Sequence, residues 1–162
     1  MHRQLPLSHE YHLMNFMDFT SKTFEQLSKQ ELYQILQLRA EVFVVEQNCP
    51  YQDLDELDFD SIHVCGYLDE ELVAYARLIK PGLKYSGASI GRVITKKVIR
   101  SSGAGKALMN KSINKCREQW KEESIFISAQ ERLKNFYQGL GFIINSEPYL
   151  EDGIPHIEMK LT

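Results

Sequence analysis

Arg100-Ser101-Ser102-Gly103-Ala104-Gly105 (RSSGAG) lies shortly after the run Ser89 to Thr95 (SIGRVIT) and directly before a stretch whose apolar residues recur at helical period. Strand, glycine-bearing turn and helix, in that order, present backbone amides at a helix N-terminus. Those amides have no intrahelical partner, and the macrodipole adds about half a positive charge there. Glycine lacks the Cβ that would hold a phosphate away. Arg-x-x-Gly-x-Gly therefore reads as a cradle for a diphosphate.

Two common diphosphate loops fail on spacing. A dinucleotide fingerprint needs a third glycine three residues after Gly105, where Leu108 stands. A Walker A loop needs Gly five residues before Gly105 and Ser or Thr after Lys106; Arg100 and Ala107 stand there. On its own, the hexapeptide also suits a plain helix start with a flexible turn.

The order Arg-x-x-Gly-x-Gly resembles the coenzyme A loop of the GNAT superfamily of N-acetyltransferases, Gln/Arg-x-x-Gly-x-Gly/Ala, at every fixed position. Asn135 to Phe142 (NFYQGLGF) resembles a second GNAT signature, a helix bearing Phe/Leu-Tyr and ending at Gly-Phe. Leu38 to Asp58 (LRAEVFVVEQNCPYQDLDELD) and Tyr149 to Met159 (YLEDGIPHIEM) narrow the likeness to the ElaA-type branch. The similarity runs from about Met17 to the end of the chain.

Bulk properties agree with that likeness. The 162 residues, 43% hydrophobic and 25% charged, are enough for one ordinary globular core. We expect a flexible arm over residues 1–14 and a single domain over 15–162. No apolar run approaches the ~20 residues of a membrane span, and MHRQLPLSHEYHL has no signal-peptide core. The net charge of -3 argues against nucleic acid as partner. Cys49, Cys65 and Cys116 are odd in number and widely spaced. They suggest reduced thiols in the cytoplasm, with neither disulfide framework nor zinc site.

Periodicity predicts alternating helices and strands. Asn15 to Phe24 reads as a strand. Ser28 and Glu31 have capping-box spacing, and a helix then runs to about Val44. Ile62 to Leu68 and Leu72 to Ile79 form a hairpin around Asp69 to Glu71. Ser89 to Thr95 is a strand, and a helix runs from about Gly103 to Trp120. Ile125 to Ala129 is a buried strand, Glu131 to Leu140 a short helix. Phe142 to Leu150 and Ile154 to Leu161 form a last hairpin turning at Glu151-Asp152-Gly153.

The resemblance implies the GNAT fold, a mixed α/β architecture. Its sheet of about seven strands is mostly antiparallel, with helices on both faces. It implies that the strand before the loop and the strand after the long helix splay apart. Splaying exposes backbone groups that need partners. The amides of pantetheine supply them like an added strand. Val93, Ile94 and Thr95 would make this contact; the plain alternative is that they pair with Ile125 to Ala129. Arg100, Ser101, Ser102, Gly103, Ala104, Gly105 and Lys106 would bind the pyrophosphate. Gln130, where many family members carry Asn, and Phe136 complete the cofactor contacts.

The implied activity is transfer of an acetyl group from acetyl-CoA to a primary amine by direct attack. The acceptor is a small molecule or a peptide. The chemistry needs a neutral amine, a donor to the oxyanion and an acid for the thiolate. The amide near Val93 or Ile94 is the donor, and Tyr137 of the family helix the acid. For the base, Glu46, His63 and His156 are candidates, and water can replace all three. A coenzyme A-binding sensor without transfer activity is the alternative. The resemblance also admits a homodimer.

Asp53, Asp55, Glu56, Asp58 and Asp60 fail as a calcium loop, since Asp58 and Val64 occupy its glycine and glutamate positions. We read them as a solvated loop, with a lip attracting a cationic amine as the second reading. Arg77 and Arg92 fall in strands, where a charge needs a partner. They line the acceptor site or pair with these acids.

Overall fold

The hairpin predicted around residues 69–71 sets the centre of the fold. Strand β2 (Ile62–Leu68) turns at Asp69 and Glu70, both left-handed at φ 48° and 66°, into β3 (Glu71–Ile79). This is the two-residue turn whose twist suits a hairpin. In the computed structural model, which describes residues 17–162, β1 (Asp18–Thr23) pairs antiparallel with β2. The expected N-terminal arm, and the start of the expected first strand, lie outside the described residues.

Residues 72–79 of β3 are buried without interruption, so this strand is covered on both faces. Ala74, Ala76 and Leu78 pack with Leu108, Met109, Ile113 and Cys116 of helix α2 (Ala104–Trp120). On the opposite face Tyr75 packs with Ile35 and Leu38 of α1 (Lys29–Arg39) and with Val42. Alternation along one strand thus recruits a helix to each side.

Ser28 caps α1. Its Oγ accepts from the Glu31 amide at 3.0 Å, and the Glu31 carboxylate accepts from the Ser28 amide at 2.8 Å. Ser28→Ala is expected to cost about 1 kcal/mol, read as a lower urea midpoint with unchanged slope. The predicted helix to Val44 changes character at Ala40. Residues Ala40–Glu46 form a π-helical segment, at whose end Glu46 meets Arg100 and Gln47 meets Gln130.

The remaining strands are β4 (Ala88–Thr95), β5 (Ile125–Gln130), β6 (Ile143–Ile144), β7 (Tyr149–Glu151) and β8 (Ile154–Leu161). They complete an eight-stranded sheet in the order β1-β2-β3-β4-β5-β8-β6, with β7 also on β8. Every pairing is antiparallel except β4 with β5. A short helix, α3 (Lys134–Gly139), follows β5. The predicted continuous strand from Phe142 to Leu150 is two strands. The segment between them includes Pro148, which cannot donate to a ladder. Among the described residues no helix is long and apolar enough to cross a membrane.

Candidate active site between two splayed strands

The parallel pair β4/β5 is joined only at Ala88–Ile125 and Ser89–Phe126. Beyond this point β4 keeps its partner β3, through Tyr75–Ile94 and Ala74–Thr95, and β5 keeps β8 through Gln130–His156. Val93 to Thr95 therefore do not pair with Ile125 to Ala129. The facing backbone edges open into a cavity of about 750 Å³. Ile90 to Thr95 line one wall; Ile127, Ser128 and Gln130 line the other.

A bulge aims the β4 edge. Between Tyr75 and Arg77 of β3 lies one residue, but between their partners Ile94 and Gly91 lie two. The extra residue bends the strand, and Arg92 takes φ 52°, which a residue with a Cβ seldom adopts without constraint. The constraint is its own guanidinium. Arg92 Nε donates to Asp53 Oδ1 at 2.7 Å, and a terminal nitrogen donates to the Asp53 carbonyl at 2.9 Å.

The RSSGAG turn forms the end of the cavity near α2. Ser101 (φ 66°) and Gly103 (φ 87°) are both left-handed, and Gly103 occupies the α2 N-cap without a side-chain cap. The first amides of a helix of 17 residues are left for a ligand. Arg100, Ser101, Gly103, Gly105 and Lys106 line the cavity. Ser102 and Ala104 are buried outside it. The Ser102 hydroxyl and amide both donate to the Ile99 carbonyl, the amide at 3.3 Å, so of these two residues only Ala104 offers its amide to a ligand. A Cβ on Gly105 would stand 3.4 Å from the Phe136 ring, which lies over the helix start.

Arg100 is held locally. Its Nε donates to the Thr95 carbonyl at 3.0 Å, and both terminal nitrogens meet the Glu46 carboxylate. That pairing holds the Glu46 carboxyl below the usual carboxylate range. Gln130 Nε2 donates to Gln47 Oε1 at 3.0 Å, while its Oε1 accepts from Arg132.

Tyr137 lines the cavity from α3, buried edge-on between Phe136 and Phe142 at 5.0 and 6.0 Å. Burial pushes its phenol up to about 12, against a small opposing effect of Arg132. It stays protonated at neutral pH.

The three base candidates separate. Glu46 and His156 line the cavity; His63 does not. His63 is fully buried, with Nδ1 on the Tyr75 hydroxyl at 2.7 Å and Nε2 on the Asp58 carbonyl at 2.9 Å. Both ring nitrogens are occupied, and burial lowers its basicity. The expectation of a base at His63 is corrected: this is a structural histidine. His156 has Nδ1 on the Ile154 carbonyl at 2.7 Å and Nε2 3.5 Å from Glu151 Oε2.

The solvated acidic loop is also corrected. Asp53, Asp55 and Asp58 interlock with Arg39, Arg77 and Arg92. Arg39 joins Asp53 at 2.8 Å and Asp58 at 2.6 Å. Arg77 donates bidentately to Asp55, at 2.7 and 2.8 Å, and reaches Asp58 at 3.1 Å. Arg77 and Arg92 thus line the cavity and pair with the acids at once. Glu56 and Asp60 stay on the surface, Asp60 4.0 Å from Lys80, and Asp55 keeps an exposed edge beside its arginines. Sequence reasoning missed Arg39 as the hub of this network. It also missed Ser128 and Glu151, polar cavity residues on β5 and β7.

Over residues 18–162 the chain matches the family described as Acetyltransferase (GNAT) domain. The chain belongs to the GNAT family. This GNAT chain is 48% identical to protein ElaA of Escherichia coli over 136 residues, 83% of this chain and 89% of ElaA. The crystal structure of E. coli ElaA superposes with TM-score 0.84 at 43% identity, covering 90% of this chain and 99% of that one. An acyl-CoA N-acyltransferase from Pseudomonas aeruginosa superposes with TM-score 0.85 at 41% identity over 90% and 99% of the two chains. An aminoglycoside 6'-N-acetyltransferase, solved with coenzyme A, shares the fold alone: TM-score 0.67 at 16% identity, over 87% and 95%. The sheet with its splayed strands is the GNAT acyl-CoA N-acyltransferase fold.

Proposed function

We propose that this chain is an N-acetyltransferase, a single domain over residues 15–162, that moves the acetyl group of acetyl-CoA to a primary amine by direct attack. One observation carries the reading. The open edge of β4, the uncapped α2 N-terminus and Tyr137 all line one cavity.

The edge from Val93 to Thr95 takes the pantetheine amides, as an extra strand would. The amides of Ser101 and of Gly103 to Lys106 take the pyrophosphate. Phe136 packs beside them, and Gln130 closes the β5 side. The bulge turns the amide near Val93 or Ile94 toward the oxyanion that develops at the thioester carbonyl. Tyr137 donates its proton to the departing sulfur. Its raised phenol keeps that proton available at neutral pH. The aminoglycoside enzyme solved with coenzyme A and the Pseudomonas acyl-CoA enzyme support the choice of co-substrate. Three free cysteines, two of them buried, support a reducing cytoplasmic setting.

Calorimetric titration with acetyl-CoA, coenzyme A, ATP and NAD tests the cofactor. Micromolar binding of acetyl-CoA, with ATP and NAD weaker, is expected. Equal binding of ATP removes the reading. Thiol release across a panel of primary amines then separates an enzyme from a coenzyme A sensor, which binds without turnover. Gly103→Ala places a side chain at φ 87° in the phosphate cradle. The turn relieves about 1–2 kcal/mol of left-handed strain by leaving the cradle conformation, so acetyl-CoA, which binds only the cradle, is expected to weaken about tenfold.

A further inference from the structure

The β5–β8 side of the cavity holds a polar cluster for which the coenzyme A contacts have no use. Ser128 of β5, Glu151 of β7 and His156 of β8 all line it. They are locked in register, since Tyr149 pairs with His156 and Glu151 with Ile154 across the hairpin. The Ser128 hydroxyl lies 2.8 Å from Glu151 Oε2 and 2.5 Å from the Tyr149 hydroxyl. A carboxylate only accepts, so Ser128 donates to Glu151, and Tyr149 donates to Ser128. This chain fixes one oxygen of Glu151.

His156 supplies the decisive contact. A carbonyl also only accepts, so Nδ1 carries the hydrogen donated to Ile154. In the neutral ring Nε2 is then an acceptor, and it faces Glu151 Oε2 at 3.5 Å. With the ring neutral, two acceptors face each other across a gap that a proton on Nε2 or the N–H of an incoming cation satisfies. Glu151 remains 40% exposed in its side chain, open to an incoming group. Tyr149 stacks on His156 at 6.3 Å; Tyr85, which lines the cavity, stacks on Phe126 at 5.2 Å and carries Lys84 Nζ 5.8 Å over its ring.

We propose that Glu151 and His156 form the acceptor subsite, which binds a primary ammonium group bridging Glu151 Oε2 and His156 Nε2. The assignment of a subsite to the acceptor rests on the acetyl-transfer reading above. The ammonium N–H bond breaks as Nε2–H forms, and Glu151 stabilises the imidazolium. The freed lone pair of the amine forms the C–N bond with the thioester carbonyl carbon, and the π pair moves to oxygen. That pair returns as the C–S bond breaks, and the sulfur takes the Tyr137 proton. The second proton lost from nitrogen restores Tyr137, and His156 releases the first to water. The products are the amide, the thiol and one proton.

Two measurements test this. In protein labelled with 15N-histidine, titration with n-butylammonium chloride is expected to shift the His156 Nε2 resonance saturably. Glu151→Gln, which keeps shape and loses charge, is expected to weaken that titration about tenfold or more. In the thiol-release assay the same variant is expected to raise the amine KM about tenfold, with acetyl-CoA Kd within about twofold. Ser128→Ala, which frees Glu151 without removing it, is expected to give a smaller rise in KM. No saturable shift in the wild type, or an unchanged titration in Glu151→Gln, overturns the subsite. Failure of acetyl-CoA to bind overturns the transfer reading instead, and the butylammonium titration still decides the subsite.

Discussion

Tyr137→Phe is expected to lower the maximal rate of acetyl transfer about a hundredfold or more, with acetyl-CoA affinity within about twofold. The side chain is 94% buried between two aromatic rings, so phenylalanine retains the packing that holds α3. What disappears is one hydroxyl at the cavity. Burial and the charge of Arg132 are what shift its ionisation, and no hydrogen bond contributes. The hydroxyl is therefore not a structural tie, and stability is expected to change by less than about 1 kcal/mol. An effect on rate without an effect on binding or folding is the signature of a group that acts only in the transition state. A kcat within about threefold of wild type would show that the departing sulfur is protonated by another group.

Arg39→Met is expected to cost about 3–5 kcal/mol of stability at neutral pH, measured by urea unfolding. The Arg39 side chain is fully buried and serves Asp53 and Asp58, which are 12% and 9% exposed. Removing the cation leaves carboxylates in the interior with half their compensation. The methionine fills most of the space, so the loss is electrostatic and not a cavity. Burial would raise the Asp58 carboxyl, but hydrogen bonds and charge from Arg39 and Arg77 override it and hold it low. Asp55 is held at about 2 by Arg77 and Arg92, again against its burial. A carboxyl with a depressed folded pKa stabilises the protein above its unfolded value of about 3.9 and loses that contribution as pH falls through the folded value. Wild-type stability is therefore expected to decline between about pH 4 and pH 2. In Arg39→Met the part of that decline due to Asp58 shrinks. Pairing Arg39→Met with Asp58→Asn is expected to recover part of the loss, because the uncompensated charge goes with it. A loss below about 1 kcal/mol would show that the network is dispensable for folding.

The network also bears on the site. Asp53 holds Arg92 in its left-handed bulge, and the bulge directs the β4 backbone into the cavity. A loop read as solvated is, in the fold, the clamp on the strand that lines the site. Sequence could not show this, because the pairs are 14 to 39 residues apart and a charge run looks the same whether it meets water or guanidinium. Arg77 and Arg92 were legible as charges in need of partners; Arg39, in a helix whose outer face also carries charges, was not.

The histidines make the same point. His63 and His156 both stand on strands flanked by apolar residues, and neither spacing nor composition separates them. The fold puts one against Tyr75 and the Asp58 carbonyl and the other at the mouth of a cavity.

By itself, the sequence determined the family and most of the elements, but not the π-helical turns from Ala40 or the break between Ile144 and Tyr149. RSSGAG, the Ser28–Glu31 cap, the Asp69–Glu70 turn and the NFYQGLGF helix act through neighbours a few residues away, and short-range backbone physics reads directly from such strings. Tertiary structure alone decided where β4 and β5 part, which amides remain open and which charges are paired. These depend on long-range register and burial, and a one-dimensional pattern does not record which face of a strand meets which loop.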